Sequence, residues 1–260
     1  IEMICCIIQA RIGSTRLPKK VIQKIDNKNT VIDYVINQVK HSKKIEKIVV
    51  ATTNLIEDDI ICQYANLQQI ECFRGSSEDV LDRFYQCAKK FGIDDIIRIT
   101  ADNPLIDPNI IDRIINEYKN KEYDFVTNTL DRTFPYGTEV EVFSFQSLEK
   151  AWKNAKKPSE REHVTPFILN PKNKFILKNI EYQEDISYLR YTIDRMDDLK
   201  LVKEIIKNSS TRPILIQDVI KLYKNKPEIF EINKNIKHDG YLSSLEKDEQ
   251  YFKSKNNESP

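Results

Sequence analysis

Glycine is scarce in this chain, with 5 in 260 residues, beside 3 histidines, 2 methionines and 1 tryptophan. Neither the P-loop spacing nor the Rossmann glycine pattern occurs, which excludes the two commonest glycine-built phosphate cradles. No apolar run approaches the length of a membrane span, and no signal-peptide pattern precedes the first apolar strand. A surplus of charge is also missing: 41 Lys and Arg stand against 40 Asp and Glu. That balance argues against bulk attachment to nucleic acid or membrane, while leaving room for a local basic cleft. The five cysteines (Cys5, Cys6, Cys62, Cys72 and Cys87) show no CxxC pair and no zinc-ligand spacing. Their odd number suggests a reducing compartment, so the expected setting is cytoplasmic. Cys5 and Cys6 lie in an apolar run and read as small core residues. Internal repeats, low-complexity linkers and any Ser-His-Asp or Cys-His arrangement are absent as well.

What remains is a chain of ordinary globular composition, 40% hydrophobic and 31% charged, long enough for one large α/β domain. Met3 to Gln9 (MICCIIQ) reads as a buried strand and Thr30 to Lys40 as a helix capped by Thr30. Lys47 to Thr52 and Gln69 to Phe73 read as strands. A helix opens at the acidic run Glu57-Asp58-Asp59, and another spans Glu78 to Phe91, where Ser77 could cap it. Asp95 to Thr100 and Asp124 to Asn128 are strands flanking a helix that follows Pro108, with Asp107 as its cap. Such alternation implies a mostly parallel sheet with helices on both faces. Beyond Asn128 the rhythm changes. Glu139 to Phe145 alternates as a half-exposed strand does, Gln146 to Ala155 and Glu160 to Leu169 read as helices, Leu189 to Asp194 as a last strand and Met196 to Lys207 as a last core helix. Residues 3–224 form the expected domain, and the polar residues 225–260 a peripheral arm or disordered tail.

The stretch from Ile7 to Ile22, IIQARIGSTRLPKKVI, joins a buried strand to a loop at the carboxyl edge of the sheet, where open α/β sheets bind ligands. Arg11, Arg16, Lys19 and Lys20 bring positive charge, Gly13 allows close approach, and Ser14 and Thr15 offer hydroxyls. Guanidinium forks and ammonium groups together suit several phosphate oxygens. A solvated basic loop is the competing account. Asp102, in RITADNPLID, follows a strand at the same edge; it serves either as a magnesium ligand facing phosphate or as a turn cap. Asp194, in YLRYTIDRMDDL, ends the last expected strand, and Asp197 and Asp198 fall in the next first turn, where the helix dipole accounts for them.

The run ARIGSTRLPKK meets every fixed position of the pattern A-R-x-x-S-x-R-L-P-x-K. It resembles the cytidylyltransferases that activate acidic sugars, and most closely the family of spore coat polysaccharide biosynthesis protein F, which is related to the synthetases of CMP-3-deoxy-manno-octulosonate and CMP-acylneuraminate. Lys19 departs from the family, whose members usually carry glycine there. Residues Arg190 to Leu199 are similar to the family signature R-x-T-x-D-x-x-x-D-L, and Arg161 to Pro166 (REHVTP) to another of its hallmarks. The resemblance implies a three-layer α/β/α nucleotide-diphospho-sugar transferase fold, Rossmann-like and of the GT-A type, with a mostly parallel mixed sheet. It further implies transfer of CMP from CTP to an acidic or amino sugar, Mg2+ as cofactor on Asp102 and Asp194, and a homodimer, for which the strand from Glu139 could supply an interface. Arg11, Arg16, Lys20, Asp102 and Asp194 are then the catalytic group. Gln9, Ala10, Gly13, Ser14, Ala51, Thr52, Asn54, Gly75, Ser76 and Arg83 join them around the nucleotide, with helix capping an equal account of Ser76. Gly137, Glu139, Arg161, Glu162 and His163 are placed at the acceptor or at a dimer contact. Two other readings stay open: a glycosyltransferase, although Asp102-Asn103 lacks the second acid of a D-x-D motif, and a non-catalytic nucleotide-binding scaffold.

Overall fold

A computed structural model describes residues 2–120, 122–237 and 241–257. Seven strands form one sheet in the order β3-β2-β1-β4-β6-β5-β7. They are β1 (Ile4–Gln9), β2 (Lys47–Thr53), β3 (Glu71–Gly75), β4 (Asp95–Thr100), β5 (Phe125–Thr127), β6 (Glu141–Ser144) and β7 (Leu177–Asn179). All pairings are parallel except those of β6, which runs against both β4 and β5. Alternate side chains of β1 feed two cores: Ile4, Cys6 and Ile8 on one face, Cys5 and Ile7 on the other. The first face is covered by α1 (Val31–Val39), α2 (Asp59–Leu67) and α4 (Pro108–Tyr118), the second by α3 (Val80–Phe91), α5 (Phe145–Asn154) and α7 (Pro166–Leu169). The three-layer α/β/α mixed sheet expected from the sequence is the fold observed. A third core joins Leu17 and Val31 to Leu189, Tyr191 and Ile193, and to α8 (Met196–Lys207) and α9 (Ile216–Asn225).

Several local expectations change. Leu189 to Asp194 is extended but joins no ladder. Its one bridge is Tyr136 with Arg190, and it crosses the sheet edge through hydrogen bonds from Tyr191 N to Tyr136 O (2.8 Å) and from Ile193 N to Asp102 O (2.8 Å). The whole run from Leu189 to Ile193 is buried, its apolar side chains by packing in the core with α8 rather than against a strand partner. The helix read over Glu160 to Leu169 breaks at buried Val164, whose φ of 70° ends α6 (Pro158–His163) and starts α7 afresh. Strand β6 is interior, paired on both sides, so it has no edge to give a dimer. The α3 cap is Asp79, which accepts from Asp82 N (2.8 Å), rather than Ser77. Thr30 and Asp107 cap α1 and α4 as read.

The cysteines and the chain end differ more. Cys62 and Cys72 form a disulfide between α2 and β3, a pairing outside the sequence reading. The turn at Gln69 folds β3 back beside the helix it leaves, so two residues ten apart meet. Cys5, Cys6 and Cys87 are buried and free. Where an arm ending in disorder was expected, Phe230 and Asn233 are buried against the α8 and α9 region, and α10 (Leu242–Asn257) packs on α6. Residues 258–260, also part of that expectation, lie outside those described. Among the described residues, no helix is long and apolar enough to cross a membrane.

Candidate active site

The loop after β1 is held from below. Arg98 on β4 donates from Nη2 to Gln9 Oε1 (3.0 Å), and Ala101 N donates to Gln9 O (2.9 Å), so the strand ends of β1 and β4 are tied together. Ile12 N donates to Asp58 Oδ1 (2.6 Å), while the Thr53 hydroxyl bonds the other oxygen of this fully buried carboxylate. With its backbone pinned, the loop turns its cations upward. Gln9, Ala10, Arg11, Gly13, Ser14, Thr15, Arg16 and Lys20 then line a cavity of about 260 Å³ closed by Thr100, Asp102 and Asp194. A Cβ on Gly13 would meet only Glu57 Oε1, at 3.5 Å, so the fold itself leaves that position free to gain a side chain.

Two carboxylates meet at its floor. Lys20 Nζ lies 3.4 Å from Asp102 Oδ2 and 3.1 Å from Asp194 Oδ1, bridging residues 92 apart in sequence. Asp102 Oδ1 also accepts from the Thr100 hydroxyl (2.5 Å), and Asp194 Oδ1 has Arg16 Nη2 at 3.4 Å. Behind Asp194 stands a buried hub. Asp198 accepts from Arg190 Nε (3.0 Å), from Asn233 Nδ2 (2.8 Å) and from the backbone N of both Asp194 and Arg195 (2.9 Å each). Arg190 Nη2 in turn reaches Asp194 Oδ2 at 2.9 Å. Burial pushes the Asp194 carboxyl up, but Lys20, Arg190 and Arg16 outweigh it and hold it below the ordinary carboxylate range.

A second cavity of about 780 Å³ shares Gln9, Arg11, Thr15 and Arg16 with the first and continues past Arg83 to Arg161, Glu162, His163 and Lys247. Arg83 is fully buried and donates from Nε to Ser76 O (2.9 Å). Its Nη1 has no hydrogen-bond partner among the described residues. Burial, with Arg11 adding to it, draws Arg83 down to about 10, so it is still a cation at neutral pH. One cavity therefore suits phosphates, and its neighbour is large enough for the rest of two small substrates.

A cytidylyltransferase family model matches residues 5–236. The chain belongs to the cytidylyltransferase family. It is 32% identical to spore coat polysaccharide biosynthesis protein SpsF of Bacillus subtilis, over 85% of this chain and 94% of that protein. It is 39% identical to an uncharacterised protein of Methanocaldococcus jannaschii, over 90% of this chain and 96% of the other. Among solved structures, a cytidylyltransferase from Leptospira borgpetersenii superposes with a TM-score of 0.86 at 33% identity, covering 92% of this chain and all of that one.

Within this cytidylyltransferase fold, the expected residues fall into three groups. Gln9, Ala10, Arg11, Gly13, Ser14, Arg16, Lys20, Asp102 and Asp194 come together in the first cavity. Arg83, Arg161, Glu162 and His163 line the second. The others lie outside both linings. Ala51 and Thr52 are buried in β2, and Asn54 closes the β2–β3 edge by donating from N to Gly75 O (2.9 Å). Gly75 is required by packing, since a Cβ would sit 2.8 Å from Arg83 Cγ, and the Ser76 hydroxyl accepts from Asp79 N (3.0 Å). Gly137 stands at φ 114°, and a Cβ there would meet Thr192 N at 2.8 Å, so both the backbone and the packing require glycine; its N donates to Glu139 Oε2 (2.9 Å), which also takes Asn103 Nδ2 (3.0 Å). That pair props the Asp102 turn from behind, while Glu141 pairs with Arg98 at 2.6 Å. Asp58, Asp198, Asn233 and Lys247 were missed. Acidic helix starts hid the first two, and only Asp198's place in R-x-T-x-D-x-x-x-D-L hinted at a further role.

Proposed function

We propose that this cytidylyltransferase transfers CMP from CTP to an acidic or amino sugar, releasing pyrophosphate, in cytoplasmic assembly of surface polysaccharide or glycoconjugate. The observation carrying this reading is the pair Asp102 and Asp194, bridged by Lys20 beneath the Arg11–Arg16 loop. Mg2+ fits there on the chemistry of the donors. No group of three or more His, Cys, Asp or Glu that could hold a metal occurs among the described residues, but two carboxylates beside a phosphate pocket are what Mg2+ takes when phosphate oxygens complete its shell. Asp102 and Asp194 would hold it, and it would supply neutralising charge to the phosphates. Lys20 already occupies the negative field between those carboxylates, which supports a cation's place there.

The protein's own groups position and stabilise. Arg11 and Arg16 bind β- and γ-phosphate oxygens and steady the leaving pyrophosphate; Lys20 adds a point charge. Arg83 offers its unpartnered Nη1 to an acceptor oxygen of the nucleoside. The attacking oxygen of the sugar approaches the α-phosphorus from the second cavity, held by α6. Chemistry of this kind needs positioning and electrostatics rather than a covalent nucleophile. The homodimer belongs to the same proposal, with the free edge of β7 beside exposed Ile176 and Leu130 replacing β6 as its contact.

Pyrophosphate release from CTP with Mg2+ and a panel of acidic and amino sugars tests the reading, with the other nucleoside triphosphates as controls. Asp102→Asn and Arg16→Ala should each lower turnover roughly 10²- to 10³-fold while the melting temperature holds within a few degrees. Full turnover in both variants would remove this site from the chemistry.

A further inference from the structure

The helix α10 begins at Leu242, past the stretch that matches the family model, which ends at residue 236. It is nonetheless docked on α6 by specific contacts. Asp248 accepts from Ser159 N (2.8 Å) and from the Ser159 hydroxyl (2.5 Å) at the start of α6. Ser244 Oγ lies 2.6 Å from His163 Nε2, and its hydroxyl also bonds Glu162 Oε2 (3.2 Å) at the end of that helix. Burial lowers the imidazole of His163 below its ordinary value, so the ring is neutral at pH 7 and brings no charge to the wall. One turn on from Ser244, Lys247 Nζ reaches Glu162 Oε2 at 2.9 Å and enters the lining of the larger cavity.

The charges lining that cavity are Arg11, Arg16, Arg83, Arg161 and Lys247 against Glu78 and Glu162. Arg161 is committed to Asp79, with Nη2 to Oδ2 at 2.5 Å and Nε to Oδ2 at 2.8 Å. Arg11 and Arg16 stand on the phosphate side, where both cavities meet. Lys247, which lines the larger cavity but not the smaller, is a half-exposed ammonium held by one carboxylate oxygen, with donors to spare for a second anion. We infer that Lys247 of α10 is a specificity residue, whose ammonium, steadied by Glu162, takes the carboxylate of the acceptor sugar. This deepens the proposed function and rests on it. It makes the C-terminal helix part of the acceptor site, so that the chain distinguishes acid acceptors with a residue beyond the stretch matched by the family model.

The test compares the wild type with Lys247→Gln and Lys247→Arg, by pyrophosphate release with Mg2+, varying the acceptor at saturating CTP and CTP at saturating acceptor. The probes are 3-deoxy-manno-octulosonate, N-acetylneuraminate and glucuronate, each beside its carboxamide. Lys247→Gln should raise KM for the accepted acid roughly tenfold or more, leave KM for CTP within about twofold, and barely change the carboxamide; Lys247→Arg should recover most of the loss. Equal losses for acid and amide would mark a structural role, and a raised KM for CTP would put Lys247 on the triphosphate; either overturns the inference. Turnover of neutral or amino sugars alone would overturn it and leave CMP transfer standing. CTP binding with no acceptor turned over would overturn the acceptor reading, and the inference with it.

Discussion

The two ends of the proposed site, one for phosphate and one for the acceptor, are built differently. The phosphate end stands on strand tips: β1, β4 and the buried Asp58 fix a loop whose cations follow one another within ten residues. The acceptor end stands on side-chain contacts between short pieces, with α6 pinned by Asp79 on one side and by α10 on the other. Backbone ladders tolerate little change in geometry, whereas a docked helix can vary without disturbing the sheet. A family can thus keep one phosphate grip and diversify its acceptors. Asp194 belongs to the first end in its chemistry and to neither in its support, because it rides on an extended segment anchored by Asp198.

That anchor gives the sharpest way to break the comparison. Asp198 is fully buried with Arg190, and removing one partner of such a pair strands the other charge. Asp198→Asn should destabilise the fold by about 3–5 kcal/mol, measured by denaturant unfolding. Turnover should also fall at temperatures where the variant is still folded, because the one remaining amide oxygen cannot serve both the backbone N–H of Asp194 and Arg195 and the Arg190 and Asn233 side chains. A loss under about 1 kcal/mol with unchanged turnover would mean that the phosphate end needs no support from the second half of the chain.

Legibility in the sequence followed the same division. The loop from Ala10 to Lys20 could be read because its whole chemistry lies in one continuous run, and the parallel order of β1 to β4 because each strand is a short apolar block before a helix. Asp58 and Asp198 could not, since a carboxylate in a first helical turn looks alike whether it faces water or receives a distant backbone N–H; Asn233 sits at the end of a short 3-10 helix in a polar stretch and carries no motif. Leu189 to Asp194 misled for a related reason: a short run of β-type residues reports burial, not whether a neighbouring strand is present. The break at Val164 has no signal of its own, being set by packing that also brings the Thr165 hydroxyl to Glu141 (2.9 Å). Nor could composition announce that the polar stretch forming α10 packs on α6.

At the acceptor end, pH supplies a smaller effect. Burial lowers the imidazole of His163 from its ordinary 6.5; Glu162 opposes this, and Arg98 and Lys247 add to it. A base with a depressed value in the folded state favours folding in full above 6.5 and loses that contribution as pH falls through the folded value. Melting temperatures taken between about pH 5 and 8 should therefore fall faster on the acid side for the wild type than for His163→Gln. Parallel curves would show that α10 docks without regard to the charge of His163.

Lys19 offers the least perturbing test, at the phosphate end. Its backbone lies at φ 54° and ψ 32°, the left-handed conformation that glycine adopts without cost, and its side chain points into solvent. The loop thus accepts a strained lysine in a conformation that glycine takes freely, at the position where the resemblance leads one to expect glycine. Lys19→Gly removes that strain and adds chain entropy to the unfolded state, two effects of opposite sign and similar size. Stability should move by no more than about 0.5 kcal/mol, and KM for CTP by less than about twofold, because Lys19 is absent from the cavity lining while Lys20 is in it. A tenfold rise in KM for CTP would instead place the Lys19 ammonium on a phosphate, and the grip would then depend on a side chain the family does without.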